Sequence, residues 1–423
     1  MQKFLQIFRA PDLRKKVLMV LFLLLVFRLL AAIPIPGIDT ARLEQLFSSN
    51  QLFGFLDLFS GGGLSQLSLV MLGVGPYITA TIIMQLLTII FPKLKKAYYE
   101  EGAEGRAKFN RISRYLTVPL AALQGYGFLN LLVSQKVIGQ LAPIEMISNI
   151  AVITAGSVFL MWIGELISEY KIGNGVSLII FAGIVGSLPA DLFYSIQNYT
   201  PGVLPTYVAF VVLAIVVIAG VVFVSEGERK IPVSYAKQVR GNKVYGGVAS
   251  YLPIRVNQAG VIPIIFAISL LLLPQFFVQI ASVSSSSIVA AVSAWVNSFY
   301  NNLFLYSIAY FVLVVVFTYF YTAITFDPQE ISKNLQRSGG FVPGIRPGQS
   351  TAEMISKVVH RTTFFGALFL GLIAILPNVT QMVTGIKALT IGGTALLIVV
   401  SVALEVMKQV ESQLTMREYD GIF

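Results

Sequence analysis

The chain has 423 residues, of which 56% are hydrophobic and only 12% charged, with a mean hydropathy of +0.79 and a formal net charge of +10. A soluble domain of this length carries roughly twice that share of charge, so a soluble class is excluded and an all-α polytopic membrane protein is expected. The lack of cysteine excludes thiol chemistry, disulfides and cysteine-based metal sites.

Hydropathy and helix breakers predict ten spans, at about 17–33, 69–91, 115–133, 148–166, 176–196, 206–224, 259–280, 303–325, 362–377 and 388–407. The first follows the basic stem "MQKFLQIFRAPDLRKK". Its apolar stretch is long for the core of a signal peptide, and "IPIPG" follows it instead of a small-x-small cleavage site, so a retained span is expected. Arg28 lies past the middle of that span, placed either to snorkel outward or to pair internally. Between spans one and two stands "FSGGGLSQLS", Phe59 to Ser68, a half-polar, glycine-rich stretch at the mouth of an apolar helix. Span three carries Pro119, Gln124 and Asn130, and span nine is short. Polar or glycine-rich spans normally face protein or water.

Spans two and seven share a pattern, "GVGPYI" at Gly73–Ile78 and "GVIPII" at Gly260–Ile265. They are equivalent members of two five-span halves, residues 1–196 and 197–423. An odd number of spans per half makes the second half run inverted relative to the first, and matched Gly/Pro features in such halves point to a working site between them.

Of the 30 Lys and Arg residues, 26 fall in tails and loops on one side of this topology; Arg42, Lys136 and Lys387 fall on the other, and Arg28 lies within a span. The positive-inside rule then places both termini in the cytosol. The same side carries two long basic loops, at about 225–258 and 326–361, of a length that is usually functional.

Several chemistries have no residues to carry them. "GNG" at Gly173–Gly175 lacks the Gly-Lys-Ser/Thr of a phosphate loop, and no His or Cys cluster offers a metal site. The single histidine, His360, is expected in a polar loop at the surface; Glu165 and Glu405 lie near cytosolic helix ends, where solvated anchors are expected. No catalytic residue, metal or cofactor is expected. The scarcity of ionisable groups inside the spans favours a passive conduit driven by a partner. A secondary transporter of small solutes is also compatible with ten spans and an inverted repeat. An intramembrane enzyme would need a nucleophile–base pair or metal site that the spans lack.

Six fragments, "IPIPG", "GVGPYITATIIMQLL", "KIGNGVSLIIFAGIV", "VNQAGVIPIIFA", "FVPGIRPG" and "IGGTALLIVV", resemble in order, over essentially the whole chain, the SecY family of bacterial protein-translocation channels. The resemblance implies ten helices in two inverted halves, a clamshell around a central pore hinged near the loop between spans five and six. It implies a plug at about 55–68, in which Leu58, Phe59, Ser60, Gly61, Gly62, Gly63, Leu64, Ser65 and Gln66 close the channel from the exported side. Glycines in that stretch lower helix stability by about 1 kcal/mol each relative to alanine, so it shifts readily. The family's aliphatic constriction falls on Ile78, Ile82, Ile180, Ile184, Ile265 and Ile398. Stiff β-branched side chains without polar atoms suit a dewetted gasket.

The seam between spans two and seven corresponds to the lateral gate. Gly75, Pro76 and Pro263 are expected there as helix interruptions that loosen it. The cytosolic loops match the docking surface for the SecA motor and the ribosome. Arg229, Lys230, Lys237, Arg240, Lys243 and Arg255 are the candidates in the first loop and Arg346 in the second. Several relatives carry two adjacent basic residues before the "VYG" motif, where this chain has Asn242 and Lys243. The family further implies SecE and SecG as companion subunits, signal sequences and unfolded precursors as substrates, contact with membrane lipids, and a bacterial plasma-membrane location.

Overall fold

The computed structural model describes residues 11–35, 60, 62–64, 67–99, 101–134, 137–139, 141–197, 204–235, 238–240, 243–245, 249–281, 287–384 and 392–420. Its helices are α1 (Pro11–Ala31), α2 (Gly75–Ile90), α3 (Pro92–Tyr99), α4 (Gly102–Ser134), α5 (Pro143–Glu169), α6 (Gly175–Gln197) and α7 (Leu204–Glu226), then α8 (Ile262–Ala281), α9 (Ser287–Asn301), α10 (Leu303–Thr325), α11 (Pro328–Arg337), α12 (Gln349–Thr384) and α13 (Gly392–Asp420). Five short strands lie after α7 and after α11. Each of the ten predicted spans overlaps a helix, although residues 69–74 of the second run through turns before α2 and residues 388–391 of the tenth lie outside the described residues. Among the described residues, five helical stretches are long and apolar enough to cross a bilayer: Glu104–Val133, Pro143–Glu169, Val208–Glu226, Leu303–Arg337 and Gln349–Met382. The α7 stretch is the most apolar and the least covered, with Val208, Val211, Val212, Ile215, Val216 and Phe223 all exposed, as a lipid-facing helix requires.

Helix neighbours repeat in two sets. In the first, α4 packs on α2 and on α5, α5 packs on α6, and α1 lies against α5 and α6. In the second, α10 packs on α8 and on α12, α12 packs on α13, and α7 lies against α12 and α13. The sets meet where α8 contacts α2 and α4, and where α6 contacts α13. On the α6–α13 side, Gln413 Nε2 donates to the Lys171 carbonyl at 2.6 Å, and Lys16 Nζ donates to Gln413 Oε1 at 3.4 Å.

The equivalence extends to single residues. Gly73 has φ of 57° and Gly260 has φ of 62°, a left-handed conformation that glycine adopts without a steric penalty. Two residues after each glycine a helix begins, α2 at Gly75 and α8 at Ile262, with Pro76 and Pro263 as their second residues. These prolines therefore do not interrupt helices. They stand in first turns, where an N–H would have no helical acceptor and a fixed φ favours the start.

Four residues before each left-handed glycine, a carbonyl lies against another glycine. A Cβ on Gly156 of α5 would lie 2.3 Å from the Leu69 oxygen, and one on Gly366 of α12 would lie 2.6 Å from the Val256 oxygen. Only a residue without a side chain lets α5 and α12 run so close to these backbones.

The basic loops are not loops throughout. Strands β1 (Glu228–Tyr235) and β4 (Ala249–Arg255) pair antiparallel with Glu228 opposite Arg255, and β5 (Gly340–Phe341) adds to the other edge of β1. Strands β2 (Gln238–Arg240) and β3 (Lys243–Tyr245) pair farther out, with Arg240 opposite Lys243. Ile231, Ile254, Val342, Ile355 and Val359 form a small buried core under the three-stranded sheet, so the two loops fold as one unit. The remainder of the second loop is α11, capped by the Asp327 carboxylate accepting from the Gln329 and Glu330 N–H groups, and the first turns of α12. His360 accordingly sits on the exposed face of α12, its ring 5.2 Å from that of Tyr319, and not in a loop.

Gly156→Ala and Gly366→Ala should each cost about 1–3 kcal/mol, through overpacking against backbone that cannot retreat. Thermal unfolding in detergent checks this. Gly139→Ala, where an added Cβ meets nothing within 4 Å, should leave the transition unchanged.

Candidate functional site

The contact between the two helix sets is apolar. α2 contributes Ile78 and Ile82, α6 contributes Ile180 and Ile184, α8 contributes Ile265, and α13 contributes Ile398. None is more than 5% exposed, and all six belong to one buried cluster that also takes in Phe27 of α1, Leu160 of α5 and Tyr310 of α10. Ile78 and Ile82, like Ile180 and Ile184, are one helical turn apart and share a face. The starts of α2 and α8 set this register: Ile78 and Ile265 each lie five residues after their left-handed glycine. The α6 start is set by the "GNG" segment, in which Asn174 Oδ1 accepts from Ser177 N at 3.2 Å. Gly175 approaches α5 so closely that a Cβ there would overlap the Gly164 carbonyl.

Of the plug candidates, Ser60, Gly62, Gly63 and Leu64 are described; Leu58, Phe59, Gly61, Ser65 and Gln66 lie outside the described residues, as does the loop between spans five and six. Ser60 Oγ accepts from Leu64 N at 2.8 Å, and both residues are buried. Leu64 and Leu67 join Met71, Leu72, Phe128, Leu129, Leu132 and Ile153 in a second apolar cluster, which seats the segment on α4 and α5. Its far end is held by the "IPIPG" stretch. Ile35 N donates to the Leu67 carbonyl at 2.9 Å and Leu69 N to the Ile33 carbonyl at 3.1 Å, around a Pro34–Ser68 bridge. Proline has no N–H, so alternating Ile and Pro leave one N–H for pairing where an all-isoleucine strand would offer more.

Arg28 pairs internally: its Nη2 donates to the Gly186 carbonyl of α6 at 2.9 Å. Glu165 accepts from Arg114 Nε at 2.6 Å across α4 and α5, an ion pair that its reading as a solvated anchor misses.

The basic docking candidates gather on one small sheet unit. Arg229, Lys230 and Arg255 are exposed on β1 and β4; Lys230 pairs with Glu228 at 3.3 Å and lies 4.8 Å from the Tyr251 ring centroid. Arg240 and Lys243 are placed by their strand backbones only, and Lys237 lies outside the described residues. Arg346 is exposed in the turn before α12, where its carbonyl accepts from Thr351 Oγ1 at 2.9 Å. Among the described residues no group of three His, Cys, Asp or Glu side chains is placed to hold a metal ion. The sheet that gathers these residues is missed by sequence reasoning, although the alternation in "KIPVSY" is the signal that marks its first strand.

Equivalent sets of apolar helices closing on a seam centred on branched aliphatic side chains define a polytopic helical membrane protein of the channel or transporter class. The SecY family model matches residues 68–407. The chain is 42% identical to the protein translocase subunit SecY of Streptomyces galbus, over 99% of this chain and 98% of that protein. It is also 42% identical to that of Corynebacterium glutamicum, over 100% of both chains. The chain therefore belongs to the SecY family. Solved structures share the fold at low identity. One described as a protein-conducting channel aligns at TM-score 0.64 with 20% identity, covering 93% of this chain and 90% of that one. Another, described as showing that the SecY plug domain stabilises the closed channel and maintains a membrane seal, aligns at 0.63 with 21% identity, covering 92% and 90%.

Ile180→Asn and Ile265→Asn should raise small-ion efflux from vesicles about tenfold or more, because an unpaired amide in a dry constriction invites water. Ile180→Val and Ile265→Val should stay sealed. Equal efflux from all four variants would remove the isoleucines from the barrier.

Proposed function

We propose that this chain is the pore-forming subunit of a general protein-secretion translocon, passing unfolded, signal-bearing polypeptides across the membrane and releasing transmembrane segments sideways into lipid. The observation that carries the proposal is that six buried isoleucines from both helix sets join one apolar cluster where the sets meet, with Leu64 and Leu67 seated in a second cluster on α4 and α5. A ring of branched aliphatic side chains closes around any extended chain without reading its sequence, and it repels water and ions when empty. A site selective for a small solute would instead need fixed polar groups.

In this reading ten helices form two inverted halves, 1–196 and 197–423, with both termini in the cytosol of a bacterium. The repeated helix neighbours and the matched Gly156–Leu69 and Gly366–Val256 contacts support the repeat. The seam of α8 against α2 and α4 is the lateral gate. It opens by separation of intact helices, since Gly75, Pro76 and Pro263 lie at helix starts. The channel is passive, and the energy comes from the SecA ATPase or a translating ribosome. These dock on the sheet formed by the two cytosolic loops, where exposed Arg229, Lys230, Arg255 and Arg346 suit acidic protein surfaces and RNA phosphates. A solved relative described as a channel bound to the canine ribosome shares the fold at TM-score 0.61. SecE braces the halves and SecG lies at the periphery.

The test is reconstitution into vesicles with SecE and SecA and protease protection of an added precursor. ATP-dependent protection, lost without SecA, is expected. No protection with both partners bound and active would overturn the reading. Arg346→Glu should lower the protected fraction about tenfold through k_on and salt sensitivity, with the fold intact by circular dichroism.

A further inference from the structure

Arg28 is a full charge inside a predicted span, and the passive conduit proposed above makes no use of it. Such a charge is costly unless the protein supplies partners. The structure supplies one hydrogen-bond acceptor and a second close backbone neighbour. Nη2 donates to the Gly186 carbonyl at 2.9 Å, two residues beyond Ile184 on α6. On the other side, a Cβ built on Gly62 would lie 3.3 Å from Nη1. At Gly186 a Cβ would lie 2.8 Å from Cζ and 3.0 Å from Nε. The planar guanidinium thus sits between two glycines, one on a constriction helix and one in the segment that precedes α2. Its neighbour Phe27 is fully buried in the cluster that holds the six isoleucines.

We infer that Arg28 is the latch of the plug: a positioning residue that ties the Ser60–Leu64 segment to α6 and so biases the channel toward its closed state. The inference rests on the translocation reading. The chemistry suits a releasable tie. A guanidinium presents five donors in a rigid planar fork, so one arm holds the Gly186 carbonyl while the other lies against Gly62. The grip is confined to one side chain, so an entering chain that displaces the segment gives up only the packing of Gly62 on the guanidinium.

The natural chain has no cysteine, so a single Ser60→Cys variant, buried at 1% exposure in the parent, reports plug position by its thiol-labelling rate from the exported side of reconstituted vesicles. Arg28→Gln in that background should label about tenfold faster, since local opening sets the rate. Gly186→Ala should do the same while keeping the arginine, because its methyl group takes the place of the guanidinium. Arg28→Lys, with one compact ammonium in place of the fork, should label faster than the parent and slower than Arg28→Gln. Leu29→Ala, on the exposed face of the same helix, should match the parent. Parent-like labelling in both Arg28→Gln and Gly186→Ala overturns the latch, as does acceleration by Leu29→Ala equal to that of Arg28→Gln. The comparison needs no translocation. Failure of the parent chain to protect a precursor sinks the translocation reading, whereas flat labelling rates sink only the latch.

Discussion

Two backbone carbonyls, those of Leu69 and Val256, lie against Gly156 and Gly366, and much of the architecture depends on that pair of close approaches. Each fixes where the chain turns before a helix that crosses the seam. Four residues later comes a left-handed glycine, Gly73 or Gly260, and then a helix whose second residue is proline. The isoleucines of α2 and α8 inherit their positions from these starts. A side chain at either helix glycine would push the following helix outward, and the apolar seam would lose its register.

The seam joins two kinds of contact. Its centre is made of branched aliphatic side chains with nothing to hydrogen-bond, so packing and exclusion of water hold it, without directional bonds. Polar, specific contacts lie around it: Gln413 on the Lys171 carbonyl between the sets and, within the first set, Arg28 on Gly186 and the pairing of Ile33–Ile35 with Leu67–Leu69. A conduit for unrelated polypeptides needs this division. In the translocation reading the centre yields to any sequence, while the polar contacts around it restore one arrangement.

Much of this was legible in the sequence because a bilayer imposes a coarse rule: about 20 apolar residues per span, with basic residues held to one side. All ten spans overlap helices, and the Gly-Val-x-Pro pattern marks two equivalent helix starts. The pattern misleads on the role of proline, since a proline in the first turn and one at a kink look alike in a string of letters. Gly156 and Gly366 carry no local signal, because their neighbours lie 87 and 110 positions away. The sheet that follows α7 escapes notice because β5 is two residues long and pairs with a strand more than a hundred residues earlier. Arg28 is conspicuous as a charge, but its acceptor is the backbone carbonyl of Gly186, 158 positions away, which no side chain in the sequence announces.

The most direct test of the account is whether a polypeptide in transit touches the isoleucine seam. A photoreactive side chain in place of Ile184, in vesicles holding a precursor arrested midway, should form an adduct with that precursor that requires ATP and an intact signal sequence. The same probe in place of Val212, exposed on α7, should react with lipid alone. Adducts at position 212 and none at 184 would contradict the account and move the path out of the seam between the two helix sets.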